Sequence, residues 1–180
     1  MKIHVLGASG SGVTTLGEAT AEALECSYYD SDAYFWLATD PPFTHRRRPA
    51  ERNESLRLDL HRSTSWVLGG SIIDWGEEWL TLFDLVVFLW LPTDLRMERL
   101  RQRELERYGE VIYTNLQRNE QYQQFLAWAA RYDDNTARGR TWQAQQAWLA
   151  KVACPVLRLE GDLSVTDRLE RVLATLKELT

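Results

Sequence analysis

Near the N-terminus, a glycine-rich run separates a strand pattern from a helix pattern. The run is Gly7-Ala8-Ser9-Gly10-Ser11-Gly12. The segment before it, Met1 to Leu6, reads as a short strand, and the apolar residues of Val13 to Leu24 after it recur at helical spacing. A strand that passes through a glycine loop straight into a helix opens a βα unit. The chain is therefore expected to build a mixed α/β fold.

Further apolar segments extend this alternation along the chain. The run from Asp84 to Leu91 is too apolar for a half-exposed strand and suits a parallel sheet covered on both faces. The other predicted strands are Ser27 to Tyr29, Trp66 to Leu68 and Val156 to Leu159, and the predicted helices include about Ala50 to Ser63 and Asp167 to Leu179. We expect a three-layer α/β protein with a parallel five-stranded sheet.

Composition restricts the class of protein. A chain of 180 residues with 44% hydrophobic and 26% charged residues fits one globular domain rather than a disordered chain. The net charge of −5 disfavours a general nucleic-acid surface. The longest apolar run, Leu85 to Leu91, is too short for a membrane span, and no signal-peptide pattern opens the chain. We expect a cytoplasmic protein without a disulfide framework.

The glycine run matches a phosphate-binding motif at every required position but one. Gly7-x4-Gly12-Val13-Thr14 fits G-x-x-x-x-G-K-[ST] except that Val13 replaces the lysine. Glycines let backbone N–H groups converge on phosphate oxygens, and the helix N-terminus adds a favourable dipole. A glycine turn without phosphate is the alternative. The candidate nucleotide-binding residues are Gly7, Ser9, Gly10, Ser11, Gly12, Val13, Thr14 and Thr15.

Two later segments strengthen a resemblance to known enzymes. Pro92-Thr93-Asp94-Leu95, followed by Glu98-Arg99 and Arg103, resembles the adenylate kinase helix that leads into a lid. Arg131-Tyr132-Asp133-Asp134 resembles the R-x-D-D segment that closes it, with Arg138 or Arg140 as a later arginine. The chain thus resembles the P-loop kinases of small metabolites, the adenylate kinase and shikimate kinase group. The resemblance implies a P-loop NTPase fold that takes ATP and Mg²⁺.

Four arginines on the predicted lid helix have two interpretations. Their spacings of three and four place them along one helical face. They form either a solvated stripe paired with glutamates or a set of cations that reaches the nucleotide. Because Val13 brings no charge to the loop, arginines would have to neutralise the triphosphate. The four are Arg96, Arg99, Arg103 and Arg107.

Asp30-Ser31-Asp32 follows the second predicted strand, at the edge where open α/β sheets bind ligands. This is similar to the D-x-D of shikimate kinases, which implies that Asp30 acts on the metal with Thr14 and that Asp32 contacts the acceptor hydroxyl. A pair of turn-capping aspartates is the alternative. Gly69-Gly70-Ser71 resembles the glycine turn of the same group, where the backbone approaches the acceptor.

The acceptor is left open by the sequence. Ile72-Ile73-Asp74-Trp75 stands where adenylate kinases carry G-F-P-R, so AMP is not indicated. The run Arg46-Arg47-Arg48 suits either an anionic acceptor or a solvated surface. The aromatic residues Tyr34, Phe35, Trp36 and Trp75 suit either core packing or stacking on a base. Glu160-Gly161-Asp162 lies where this group passes the adenine.

These patterns favour one domain over residues 1–180, with an acceptor flap at about 33–65 and a lid at about 104–140. The function they favour is ATP-dependent phosphoryl transfer to a small molecule, either a nucleotide or a hydroxylated metabolite. The candidate catalytic residues are Asp32, Arg99, Arg103, Arg131 and Arg140, and the candidate metal ligands are Thr14 and Asp30. The main alternative is a degenerate nucleotide-binding sensor. A DNA-associated accessory protein is a third reading, disfavoured by the acidic balance.

Overall fold

A computed structural model describes residues 1–40, 42–136 and 139–179. The strands are β1 (Lys2–Gly7), β2 (Ser27–Asp30), β3 (Trp66–Gly69), β4 (Leu85–Trp90) and β5 (Val156–Glu160). The helices are α1 (Val13–Ala23), α2 (Ser31–Phe35), α3 (Pro49–Leu60), α4 (Thr93–Tyr108), α5 (Val111–Thr114), α6 (Leu116–Ala130), α7 (Trp142–Leu149) and α8 (Val165–Leu179). A short 3-10 helix spans Glu77–Thr81.

All five strands run parallel in one sheet of order β2-β3-β1-β4-β5. The prediction of a parallel five-stranded sheet is confirmed. β1 lies at the centre and both of its neighbours come later in the chain, so the chain reverses its winding direction beside β1. Ligands of open α/β sheets bind beyond the carboxyl ends of the strands at such a point, and the glycine loop follows β1 there.

Alternating strand residues separate the core into two apolar layers. Ile3 and Val5 of β1 lie in one cluster with buried residues of α1 and α8. Leu6 lies on the other face, in a cluster with Leu56 of α3 and Trp148 of α7. Helices therefore cover both faces of the sheet, as the near-continuous apolar sequence of β4 predicts.

The segment predicted as a lid packs against the first half of α4 through a separate apolar cluster. Met97 and Leu100 of α4 pack with Ile112, Tyr122 and Leu126 from α5 and α6. This cluster holds three helices beside the sheet. No described helix is both long and apolar enough to cross a membrane.

The segment predicted as a flap is more regular than its sequence indicates. Its first residues belong to α2, and an antiparallel bridge joins Trp36 to Arg46 before α3 begins at Pro49. Hydrogen bonds from Leu37 N to His45 O (2.8 Å) and from Arg47 N to Phe35 O (2.8 Å) hold the bridge. Such contacts between segments carry no local sequence signal.

Candidate functional site

The loop between β1 and α1 has a backbone that requires its glycines. Gly10 and Gly12 have positive φ angles of 84° and 94°, a region that other L-residues enter with strain. A Cβ atom at Gly7 would lie 2.5 Å from the carbonyl oxygen of Leu89 on the neighbouring strand. Three glycines of the motif are thus needed for the path of the chain itself.

The end of this loop presents backbone N–H groups at a helix terminus. Gly12 is the N-cap of α1 and has no side chain with which to cap it. The N–H groups of a first helical turn have no partner within the helix, and that end carries the positive part of the dipole. Thr14 and Thr15 are exposed there. This geometry suits an anion such as a phosphate.

Val13 contributes packing where the motif has a cation. Its side chain is half-buried and packs against the apolar cluster that contains Leu16. Ser11 closes the loop from within, because its Oγ (2.8 Å) and its N–H (3.1 Å) both donate to the carbonyl oxygen of Ala8. The loop itself therefore offers dipoles and hydroxyl groups but no side-chain charge.

The position of Asp30 is compatible with both of its predicted roles, a turn cap and a metal ligand beside Thr14. Its Oδ1 accepts the N–H of Asp32 at 2.9 Å and caps α2. Its Oδ2 lies 3.5 Å from the hydroxyl of Thr14, across the sheet edge. Burial raises the pKa of Asp30, with the N–H of Asp32 opposing the shift.

The two candidate metal ligands are therefore neighbours. Carboxylate and hydroxyl oxygens are the donor class that Mg²⁺ prefers, and Mg²⁺ is held by few protein ligands beside substrate phosphates. No group of three or more His, Cys, Asp or Glu side chains that could hold a metal occurs in the described ranges. Thr14 and Asp30 thus fit Mg²⁺ in the company of a nucleotide, not as a closed protein cage.

Asp32 contacts an arginine from a distant part of the chain. Arg140 Nη2 lies 2.8 Å from Asp32 Oδ1. Gly70, with φ 98°, lies against the same turn, and a Cβ there would collide with the buried Ser31 hydroxyl. The glycine turn after β3 and the Asp30–Asp32 turn after β2 are therefore packed together. The structure therefore brings Arg140, from the end of the predicted lid, to the Asp30–Asp32 turn.

Arg52 of α3 is a buried cation that the sequence analysis missed. The residue is 6% exposed, and its guanidinium lies 4.0 Å from the Trp75 ring centroid and 5.8 Å from that of Phe35. Its Nε donates to Asn53 Oδ1 at 3.0 Å, and among described residues it forms no ion pair. Burial lowers the pKa of Arg52.

A second arginine, Arg46, also lies over the Phe35 ring. The guanidinium of Arg46 lies 5.4 Å from the Phe35 ring centroid and 5.7 Å from that of Trp36. The aromatic residues that the sequence assigned to either core or ligand stacking thus hold two cations beside α2. Periodicity gives no signal for Arg52, because α3 has only a weak apolar pattern.

The arginines of the lid helix do not form one equivalent stripe. Arg96 is completely buried, and it donates to Asp133 Oδ2 at 2.7 Å, to Leu91 O at 3.1 Å and to Ser9 O at 3.3 Å. The expectation that it belongs to an exposed face or to a nucleotide-facing set is wrong. Arg96 instead connects the glycine loop to the closing segment of the lid.

The other lid arginines are accessible. Arg99 pairs with Asp162 at 2.5 Å. Arg103 pairs with Glu104 at 3.0 Å and lies over the Phe125 ring. Arg131 is exposed at the end of α6. Arg138, the alternative to Arg140, lies outside the described residues.

A cavity of about 380 Å³ adjoins the phosphate loop. It is lined by Gly12 and Thr15 of the loop and helix, by Arg99 of α4, and by residues after β5 that include Asp162 and Val165. The Glu160-Gly161-Asp162 segment therefore reaches the cavity, as its resemblance implies for a base site. Burial lowers the pKa of Arg168, also in the wall, and the nearby Arg99 adds to the shift.

Solved structures share this fold across nearly the whole chain. A shikimate kinase from Acinetobacter baumannii in complex with shikimate aligns with a TM-score of 0.57 at 18% identity, over 98% of this chain and 93% of that one. A gluconokinase from Sinorhizobium meliloti 1021 gives 0.50 at 18% identity, over 99% and 92%. A deoxyadenosine kinase from M. mycoides gives 0.50 at 14% identity, over 100% of both chains. At such identities the likeness shows the fold, that of P-loop small-metabolite kinases.

A search by sequence finds one relative that aligns with nearly the whole of this chain. No protein-family model matches the chain. The uncharacterized protein YqaC of Bacillus subtilis (strain 168) is 43% identical over 171 residues, which is 95% of this chain and 94% of YqaC. The chain belongs to the YqaC family.

Proposed function

We propose that this protein is an ATP-dependent kinase that transfers the γ-phosphoryl group to a hydroxyl of a small anionic acceptor. One observation carries the proposal. The phosphate loop, the Asp30–Asp32 turn and Arg140 converge at the carboxyl edge of one sheet, with Thr14 3.5 Å from Asp30 and Arg140 2.8 Å from Asp32. A phosphate site and a carboxylate beside it are the two halves that phosphoryl transfer needs.

On the donor side, backbone N–H groups from Ser9 to Thr15 bind the triphosphate. The base occupies the cavity between Arg99 and the residues after β5, whose volume of about 380 Å³ fits a purine nucleoside. Thr14 and Asp30 would hold Mg²⁺, which would neutralise charge at the phosphates. The loop and the cavity together fix the nucleotide on one side of the acceptor.

On the acceptor side, Asp32 receives the hydroxyl that is phosphorylated. It orients this hydroxyl or accepts its proton, and it only positions the acceptor if the accepting group is itself a phosphate. Arg140 holds the carboxylate in place through the 2.8 Å contact. A carboxylate held from a second segment is pre-positioned for the reaction.

The buried guanidinium of Arg52 is the reason to propose a negatively charged acceptor. A buried guanidinium is costly unless an anion accompanies it, and Arg52 forms no ion pair in the described part of the chain. The Phe35 ring links it to α2, the helix that carries Asp32. An acceptor with a carboxylate or phosphate would satisfy Arg52 and present its hydroxyl to Asp32.

The lid arginines supply the charge that Val13 does not. Arg99 already lines the cavity, and closure of the lid brings Arg103 and Arg131 towards the donor phosphates. Closure also excludes water, so that the acceptor competes with hydrolysis. Catalysis then consists of positioning and of charge neutralisation in the transition state.

A second candidate function is a nucleotide-binding protein without turnover. Its supporting observation is Val13, whose side chain packs into the apolar cluster around α1. The Asp32–Arg140 pair and the buried Arg52 favour the kinase, because a nucleotide sensor has no need of an acceptor site.

A screen for acceptor-dependent ADP formation tests the proposal. The panel contains hydroxylated carboxylates, sugar phosphates and nucleoside monophosphates, with neutral polyols as the uncharged comparison. We expect ADP formation with an anionic acceptor, loss of this activity in Asp32→Asn, and a raised acceptor KM in Arg52→Met. Arg62→Met removes an exposed arginine just beyond the same helix and should change neither value. Activity with neutral polyols alone would contradict an anionic acceptor. If no compound of the panel causes ADP formation, the kinase proposal is wrong.

A further inference from the structure

Arg168 joins the phosphate loop to the opposite side of the nucleotide cavity. It lies on α8 and is 3% exposed. Its Nη1 donates to the carbonyl oxygen of Ser11 at 2.7 Å, and its Nη2 donates to the carbonyl oxygen of Gly161 at 3.1 Å. A single buried side chain thus connects two loops that are 150 residues apart.

The bond to Ser11 acts on a peptide group that the loop uses. The carbonyl of Ser11 and the N–H of Gly12 belong to one planar trans peptide and point in opposite directions. Hydrogen bonds in series polarise one another, so a cation on the carbonyl side strengthens the N–H on the other side. Gly12 has φ 94°, and a Cβ there would approach Arg168 Nη1 to 2.9 Å. The guanidinium therefore lies directly behind the Gly12 backbone.

The charge of Arg168 is not cancelled locally. It forms no ion pair within residues 1–40, 42–136 and 139–179, and the nearby Asp162 is already paired with Arg99 at 2.5 Å. Two arginines and one aspartate leave a net positive charge beside the loop. A buried charge is screened less by salt than an exposed one, so its field reaches the phosphate position.

We propose that Arg168 is a positioning residue that compensates, from behind the loop, for the missing lysine. It acts through the Ser11–Gly12 peptide and raises the affinity of the loop for polyphosphate. This inference rests on nucleotide binding in the proposed function and assigns it a residue. Its role is distinct from that of the lid arginines, which neutralise charge in the transition state.

Calorimetric titration with MgATP and with adenosine tests this role, because adenosine carries no phosphate. We expect Arg168→Met to weaken MgATP binding about tenfold or more and to leave adenosine binding within twofold. Arg168→Lys should keep most of the affinity because it keeps the charge. Arg171→Met removes an exposed arginine of the same helix and should bind like the wild type.

A second variant separates charge from loop support. Val13→Lys in the Arg168→Met background restores MgATP affinity if the missing quantity is charge. Equal losses for MgATP and adenosine, no loss, or no recovery with Val13→Lys would each overturn the proposal. Unfolding curves of every variant show whether the domain is intact.

These experiments distinguish a failure of the Arg168 inference from a failure of the kinase proposal. Transfer to an acceptor with no effect of Arg168→Met would overturn this inference alone. A phosphate-dependent loss of affinity without any acceptor turnover would support the inference and overturn the kinase. Wild-type protein that does not bind MgATP would overturn both.

Discussion

Arg140 Nη2 lies 2.8 Å from Asp32 Oδ1, although the two residues are 108 positions apart in the chain. Arg140 is the last residue of the predicted lid segment, just before α7, and Asp32 belongs to α2 beside the phosphate loop. The ion pair therefore joins the end of the predicted lid to the Asp30–Asp32 turn. A lid that moves on nucleotide binding would act on Asp32 through this contact.

We expect neutralisation of Asp30 and of Asp32 to have different effects on the rate and on its Mg²⁺ dependence. Asp32→Asn should lower kcat on the order of 10²-fold or more, with MgATP affinity nearly unchanged, because it faces the acceptor. Asp30→Asn should raise the Mg²⁺ concentration needed for half-maximal rate, because it lies beside Thr14. Steady-state rates over a Mg²⁺ series measure both effects. Full activity in both variants would reduce the pair to a cap of α2.

Gly12→Val should remove MgATP binding without unfolding the domain. The φ of 94° at Gly12 strains any other residue, and a side chain there meets Arg168. Gly109→Val is the control, because Gly109 also has a positive φ of 67° but a Cβ there meets nothing within 4 Å. Calorimetry with parallel thermal unfolding measures the effect. Retained MgATP binding in Gly12→Val would place the nucleotide elsewhere.

Arg103→Ala should lower kcat by about 10³-fold while MgATP affinity changes little, because its guanidinium acts on charge that develops during transfer. Val13→Lys in the same chain should recover part of the rate, because the cation returns to the loop. Arg101→Ala, which removes an exposed arginine of α4, is the matched control. Equal kcat in Arg103→Ala and the wild type would remove the lid arginine from catalysis.

The buried His4 predicts a loss of stability in acid. Its ring stacks on Phe83 at 4.9 Å, its Nδ1 contacts Leu68 O at 2.9 Å, and burial lowers its pKa from 6.5 to about 4. His4 is therefore protonated below pH 6.5 in the unfolded chain, but only below about pH 4 in the folded chain. Stability is full above this window and falls through it by about 3 kcal/mol.

Urea unfolding at pH 7 and pH 4 tests this coupling. The wild type should lose about 3 kcal/mol more than His4→Asn between these values, whatever the neutral-pH stability of the variant. His61→Asn, which changes an exposed histidine after α3, should lose as much as the wild type. Equal losses in wild type and His4→Asn would contradict a neutral buried His4.

The sequence predicts the fold well because its signals are local. The apolar run of β4 indicates a covered parallel strand, and the glycines of the loop follow from a backbone that only glycine enters easily. The observed ends of helices and strands differ from the predicted ends by a few residues, for reasons that are local in the sequence. α8 begins at Val165 rather than Asp167, because Ser164 Oγ accepts the N–H of Asp167 at 3.0 Å and caps the helix.

The roles of the arginines are not predictable in this way. Arg52, Arg96 and Arg168 carry the same group as the exposed arginines, and only tertiary contacts bury them. The helical spacing of Arg96 matches that of Arg99 and Arg103, yet packing of α6 against α4 covers one end of the face. Arg52 contacts Trp75, and Arg168 contacts Ser11, only in the folded chain, because these partners are distant in sequence. Which cation serves the loop, the lid or the acceptor is thus a property of the fold.

Phosphorus NMR of the wild-type protein with MgATP and an acceptor from the screen tests the central claim most directly. The γ-phosphoryl resonance should decline while a new phosphoester resonance of the acceptor grows in equal amount, and Asp32→Asn should show neither change. Growth of inorganic phosphate alone would indicate hydrolysis. An unchanged ATP spectrum, with MgATP bound, would contradict the kinase and leave a nucleotide-binding protein without turnover.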